Sequence, residues 1–143
     1  QFYLTNLIGN PTESAIAASH LIFGEVLDRF SKLTFCLPHA GGTFPYLIGR
    51  ITHGWGVREE CRHLKIPPVE YLRRFYYDTI THSQSALEYL ISLVGPDRVV
   101  LGSDFCFDMS YVRPVEIVTE HAGLNESDQS LILNGNAKRL LGI

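Results

Sequence analysis

Three short, almost wholly apolar runs punctuate the chain, Leu33 to Leu37, Phe75 to Thr79 and Val99 to Leu101, with helix-spaced or turn-rich segments between and after them. Apolar runs of this length without polar alternation suit strands buried on both faces of a parallel sheet. Strand-then-helix units in series imply right-handed crossovers and an α/β fold. Three strands alone make a poor domain, because a parallel sheet needs cover on both faces and its free edges invite further strands. A larger sheet is expected. If it is an eight-stranded (β/α)8 TIM barrel of roughly 250 residues, these units are its last part. The fold class expected is therefore α/β, the C-terminal portion of such a barrel, with about three βα units plus C-terminal helices, and residues 1–143 as one partial domain.

The helical segments have their own punctuation. Asn10-Pro11-Thr12-Glu13 reads as a helix start, with Asn10 as cap, Pro11 in the first helical position and Glu13 completing a capping box. The helix is expected to run to about Phe30, with Ile16, His20, Phe23, Leu27 and Phe30 on one buried stripe. The opening Phe2 to Asn10 reads as a loop already under way, as if the chain were cut on its N-terminal side. Further helices are predicted from about Ser83 to Val94, from Pro114 to His121 and from Ser127 to Leu141, with Gly95-Pro96-Asp97 as a breaker. The Gly- and Pro-marked segment Thr43 to Arg73 is predicted to hold two short helices and a long connection.

A net charge of -3 argues against a nucleic-acid partner, since such binding draws on clustered Lys and Arg. No apolar run approaches the roughly 20 residues needed to cross a bilayer, and the N-terminus lacks a signal-peptide pattern, so no membrane partner and a cytoplasmic location are expected. Cys36, Cys61 and Cys106 form neither a CxxC pair nor a disulfide framework, and are read as reduced thiols.

In parallel α/β folds chemistry sits at the C-terminal ends of strands. The first run ends in Pro38-His39-Ala40-Gly41-Gly42. The second contains Asp78 and leads to His82, and the third ends in Gly102-Ser103-Asp104. One His and one Asp therefore emerge on the same rim. The plain alternatives are a turn-capping role for Asp104, a backbone hydrogen bond for His39, and, for Asp78 and His82, a helix cap and a loop histidine. His20, His53, His63 and His121 read as core, loop or helix-end residues, and Trp55, Tyr76 and Tyr77 as packing.

In chain order, Thr5-Asn6-Leu7-Ile8-Gly9-Asn10-Pro11, His39-Ala40-Gly41-Gly42 through Phe44-Pro45-Tyr46-Leu47 to Gly49-Arg50, Tyr77-Asp78-Thr79, Val99 to Asp104, and Asn134-Gly135-Asn136-Ala137 with Arg139-Leu140-Leu141-Gly142 span nearly the whole chain. Together they resemble the amidohydrolase superfamily, in the branch of aminocarboxymuconate-semialdehyde decarboxylase and related metal-dependent decarboxylases. The resemblance implies a carbon-carbon lyase acting on a small unsaturated or aromatic carboxylic acid, with a divalent metal, zinc or alternatively manganese. Hydrolysis at the same metal, or a non-catalytic half-barrel acting in binding or assembly, are the other readings. The family's paired ligands on its first strand and its later His have no counterpart here. What the resemblance places is Asp104 as metal ligand and catalytic residue, and His39 as the catalytic histidine beside the metal. It also places Arg50 as the arginine gripping the substrate carboxylate, in some members from a neighbouring subunit, so a homo-oligomer is expected. The family's usual Pro two residues after the metal Asp is here Cys106.

These residue types suit that chemistry. A divalent ion polarises a substrate oxygen, and an imidazole can move a proton near neutrality. Gly41 and Gly42 let backbone approach a ligand closely. An Arg offers a planar fork to a carboxylate, where a Lys offers a point charge.

Overall fold

The computed structural model describes residues 1–143. Three parallel strands, β1 (Phe35–Leu37), β2 (Phe75–Asp78) and β3 (Val99–Val100), form one sheet in the order β1-β2-β3. The strands are shorter than the apolar runs that contain them. Cys36 lies opposite Tyr76, and Leu37, Tyr77 and Val99 are in register across the sheet. On that face Phe75 sits edge-on to Phe44 at 5.8 Å and to Tyr77 at 6.4 Å between ring centroids. Leu87, Leu90 and Val94 of the helix Gln84–Val94 complete the same core. The opposite face carries Cys36, Tyr76, Asp78 and Val100. β1 and β3 each have one edge without a strand neighbour.

The helices are α1 (Asn10–Phe23), α2 (Val26–Arg29), α3 (Phe44–Val57), α4 (Gln84–Val94), α5 (Glu116–Thr119), α6 (Glu126–Ser130) and α7 (Asn136–Leu141). None is long and apolar enough to cross a membrane. α4 falls where the periodicity puts it. Ser83 caps it, its hydroxyl accepting from the Ala86 amide at 3.3 Å, and Gly95 with φ of 80° stops it.

Elsewhere the expectations need correction. Residues Thr5–Gly9 form a π-helical turn running straight into α1, in place of a loop, and Asn10 lies inside the helix with no capping bond. Pro11 accounts for the widened turn: it lacks an amide and its ring crowds the preceding carbonyls, which disfavours a regular i to i-4 ladder there. α1 ends at Phe23, because Gly24 and the left-handed Glu25 (φ 54°) break the helix before α2. Its buried face is Ala15, Ala18 and Ile22, while Ile16 is 45% exposed and His20 and Phe30 are exposed. The reason is close approach: small alanines let α1 pack on α3 and on the loop after β1. Between Thr43 and Arg73 the first helix is longer than expected, the 14-residue α3, and short 3-10 turns follow at Glu59–Cys61 and Pro68–Arg74. The α3 glycines Gly49, Gly54 and Gly56 face open space, and the apolar stripe Phe44, Ile48, Ile51 and Trp55 outweighs a helix cost of about 1 kcal/mol per Gly. The helix expected over Pro114 to His121 shrinks to α5, and the one over Ser127 to Leu141 is α6 and α7 joined by a π turn, Leu131–Gly135.

The C-terminal helices hold β3 in place. Asn136 is fully buried, and its Nδ2 donates to the carbonyls of Pro96 and Val99, both at 2.7 Å. The Leu101 amide donates to the Ile132 carbonyl at 3.0 Å. These bonds fix the strand end from which Asp104 emerges. Asn136→Ala removes the one side-chain donor that both carbonyls share, leaving Pro96 with the Val99 amide alone, and should lower stability by about 1 kcal/mol, the usual net worth of a buried hydrogen bond. Urea denaturation of the full-length protein checks this, and an unchanged midpoint would contradict it.

Candidate functional site

Each strand hands the chain to a residue in the left-handed region of backbone space. These are His39 (φ 54°) after β1, His82 (φ 53°) after β2 and Asp104 (φ 59°) after β3. Non-glycine residues are uncommon there and persist only where their surroundings hold them. After β1 the strain is doubled, because Ala40 is left-handed too, at φ 55°.

Asp78, the last residue of β2, holds that turn. Its Oδ2 accepts the His39 amide at 3.0 Å, and its Oδ1 accepts the amides of Ala40 at 2.7 Å and Ile80 at 3.0 Å. Burial raises the Asp78 carboxyl above the usual carboxylate range, and the amides of Ala40, Ile80 and His39 pull it back down.

Close packing ties the three strand ends together. A Cβ on Gly42 would fall 1.9 Å from the Pro11 carbonyl oxygen, so only glycine permits the loop to lie against α1, where the Thr43 amide donates to the same carbonyl at 3.2 Å. Gly102 packs closely too, though less tightly: a Cβ there would meet the Asp78 Cβ at 2.9 Å. The Gly102 amide donates to Thr79 Oγ1 at 3.1 Å, binding the end of β3 to that of β2.

The result is a cavity of about 400 Å³ lined by His39, His82 and Asp104, with Asn6, Tyr46 and Met109 among its other walls. His39 and Asp104, singled out from sequence, therefore share one cavity. Arg50 does not join them. It is exposed and lines a separate groove of about 570 Å³ between α1 and α3, beside His20. His39 Nδ1 is buried without a hydrogen-bond partner, and the Asp104 carboxylate makes no hydrogen bond or ion pair within the chain. No three His, Cys, Asp or Glu side chains converge into a metal shell. The donor set here fits one carboxylate ligand of a divalent ion, with an imidazole in the same cavity, and not a closed shell.

Sequence reasoning left Asp78 and His82 undecided. For Asp78 a signal was present: a carboxylate inside the apolar run Phe75 to Thr79 cannot be buried without amide partners. The placement of His82 had no local signal, since it depends on the loop after β3.

The amidohydrolase family pattern matches residues 2–143 of this chain. The chain is 35% identical over 145 residues to 2-amino-3-carboxymuconate-6-semialdehyde decarboxylase of Dictyostelium discoideum, covering 100% of this chain and 40% of that protein. Among solved structures it is similar to 5-carboxyvanillate decarboxylase of Sphingomonas paucimobilis, with a TM-score of 0.81 and 28% identity over 93% of this chain and 41% of that one. It is also similar to dihydroxybenzoic acid decarboxylase of Polaromonas sp. JS666, solved with bound manganese and the inhibitor 2-nitroresorcinol. There the TM-score is 0.79 and the identity 25%, over 92% of this chain and 40% of that one. The chain thus spans 40–41% of the length of these relatives.

If Asp78 holds the turn after β1, Asp78→Ala should free the amides of His39, Ala40 and Ile80. Hydrogen-deuterium exchange at those three amides should then accelerate by about 100-fold or more, as expected for losing hydrogen bonds to a charged acceptor worth about 3 kcal/mol in all. Exchange unchanged at His39 and Ala40 would show that the turn is held by something else.

Proposed function

We propose that this chain, which belongs to the amidohydrolase family, is the C-terminal part of a (β/α)8 barrel that decarboxylates a small unsaturated or aromatic carboxylic acid at a divalent metal. The observation that carries this reading is the convergence of His39 and Asp104, from different strand ends, in one cavity. The kinds of reaction named for the relatives, and the manganese bound to one of them, support it. The unpaired edges of β1 and β3 are where a longer barrel would continue.

In this reading the unpartnered Asp104 carboxylate is one ligand of the ion, zinc or manganese. When bound, the ion supplies Lewis acidity that polarises an oxygen of the substrate. The remaining ligands lie outside residues 1–143. Decarboxylation breaks the bond between the carboxylate carbon and the rest of the acid. The electron pair stays behind on carbon and requires a proton, and His39 is the group of this chain suited to carry it. Asp78 takes no part in that transfer. It sets the backbone from which His39 projects. Arg50 points into the groove between α1 and α3, away from this chain's cavity, so its role as a carboxylate grip needs the cavity of a second copy, and the protein acts as a homo-oligomer. The substrate is then a small carboxylic acid.

Three substitutions in the full-length protein should fail differently. Asp104→Ala should lose both bound metal and turnover, because a ligating carboxylate both binds and positions the ion. His39→Asn should keep the metal and lose turnover by about 10²- to 10⁴-fold, the usual contribution of a positioned acid or base. Arg50→Lys should mainly raise KM, since the paired contact becomes a point charge. The assay follows carbon dioxide release from a panel of aromatic and unsaturated acids beside any hydrolytic product. Hydrolysis without carbon dioxide would move the protein to a hydrolase, and full activity of His39→Asn would remove that residue from the mechanism.

A further inference from the structure

The cavity has one imidazole that the mechanism above leaves unused. His82 follows β2 as His39 follows β1 and Asp104 follows β3, and all three line the same space in the same left-handed backbone conformation. Its placement is enforced. The His82 amide donates to the Tyr111 hydroxyl at 2.6 Å, and the two rings lie 4.7 Å apart at 33°. Tyr111 is itself fastened to the loop that carries Asp104, its amide donating to the Ser103 carbonyl at 2.9 Å. The His82 imidazole is thus clamped between the ends of β2 and β3, while neither of its ring nitrogens has a hydrogen-bond partner in the chain. A loop histidine with no task would not need a tyrosine to hold both its amide and its ring.

Charge decides what such a group would bind. No Lys or Arg lines the cavity, and Asp104 brings negative charge to it. Its ring N–H donors are the two imidazoles, His39 and His82. His39 has one ring nitrogen buried. An anionic ligand entering the cavity therefore has the exposed, unpartnered His82 ring as its most accessible imidazole donor on this chain. We infer that His82, clamped by Tyr111, is a substrate-binding residue that hydrogen-bonds a carboxylate of the acid. The assignment deepens the decarboxylase reading and rests on it for the substrate class alone.

Binding tests this without turnover. Salicylate serves as the carboxylate probe and salicylamide as its neutral counterpart, with affinities for the full-length protein measured by titration calorimetry. His82→Asn is the informative variant, because asparagine tolerates the left-handed backbone and keeps the loop intact. It should weaken salicylate about tenfold or more, the loss of one hydrogen bond to a charged group, and leave salicylamide and the melting temperature unchanged. Tyr111→Phe removes the acceptor of the His82 amide and should give a smaller loss with the same preference for the acid. Equal weakening of both probes, an unchanged salicylate affinity in His82→Asn, or no salicylate binding by the unaltered protein would each overturn the assignment. Carbon dioxide release is scored separately. Its absence from the unaltered protein would sink the decarboxylase reading while a salicylate-selective loss in His82→Asn still stood. Normal release with unchanged salicylate affinity would sink only the role of His82.

Discussion

A single buried carboxylate organises the site end of this fold. Asp78 gathers amides from both sides of the sheet gap, two from the turn after β1 and one from its own strand's continuation. Each bond is modest in water, but here the acceptor is charged and largely shielded, so leaving any donor unmet would be expensive. The same carboxylate is disfavoured by its burial and sustained by the donors it satisfies. Site geometry and local stability are thus one arrangement. The backbone cannot relax out of the left-handed conformation at His39 and Ala40 without stranding Asp78, and Asp78 cannot reorient without freeing that turn.

Glycines complete what Asp78 begins. Gly42 brings the first turn against α1, and Gly102 brings the third strand end against Asp78 itself. The three ionisable rim residues are consequently held on backbone that is packed and hydrogen-bonded, although they sit in loops. Groups that must act together within tenths of an ångström need such support, because a side chain on a free loop pays in ordering entropy for every productive encounter.

Much of this was legible in the sequence where a signal was local. The apolar runs around Phe35, Phe75 and Val99 gave a parallel α/β sheet, Ser83 and Gly95 gave both ends of α4, and the residues after each run gave His39 and Asp104. What failed depended on partners distant in sequence. The stripe from Ile16 to Phe30 has good helical spacing, and its Leu27 is buried and Phe23 packs on the core, but Ala15, Ala18 and Ile22 turn inward where Ile16 and His20 were expected to. The glycines of α3 argued against one long helix, and packing of Phe44, Ile48, Ile51 and Trp55 overrode them. Asp78 could not be assigned because its donors are 38 and 39 residues away as well as next door. The place of Arg50 is a separate matter: tied to His39 by its spacing along the chain, it lies on α3 and lines the groove between α1 and α3.

The walls of the cavity have several separate origins, α3 and α4 among them. Its ionisable rim comes from loops after the strands, whereas Asn6, Leu7 and Pro11 come from the helical turns that open the chain. The two meet where Gly42 and Thr43 lie on the Pro11 carbonyl. Shape and reactivity are therefore written into different stretches of the gene, and each can drift while the other is conserved. Side chains at positions 6 and 7 can thus change the pocket's shape without touching its ionisable rim, provided the glycine at 42 is kept.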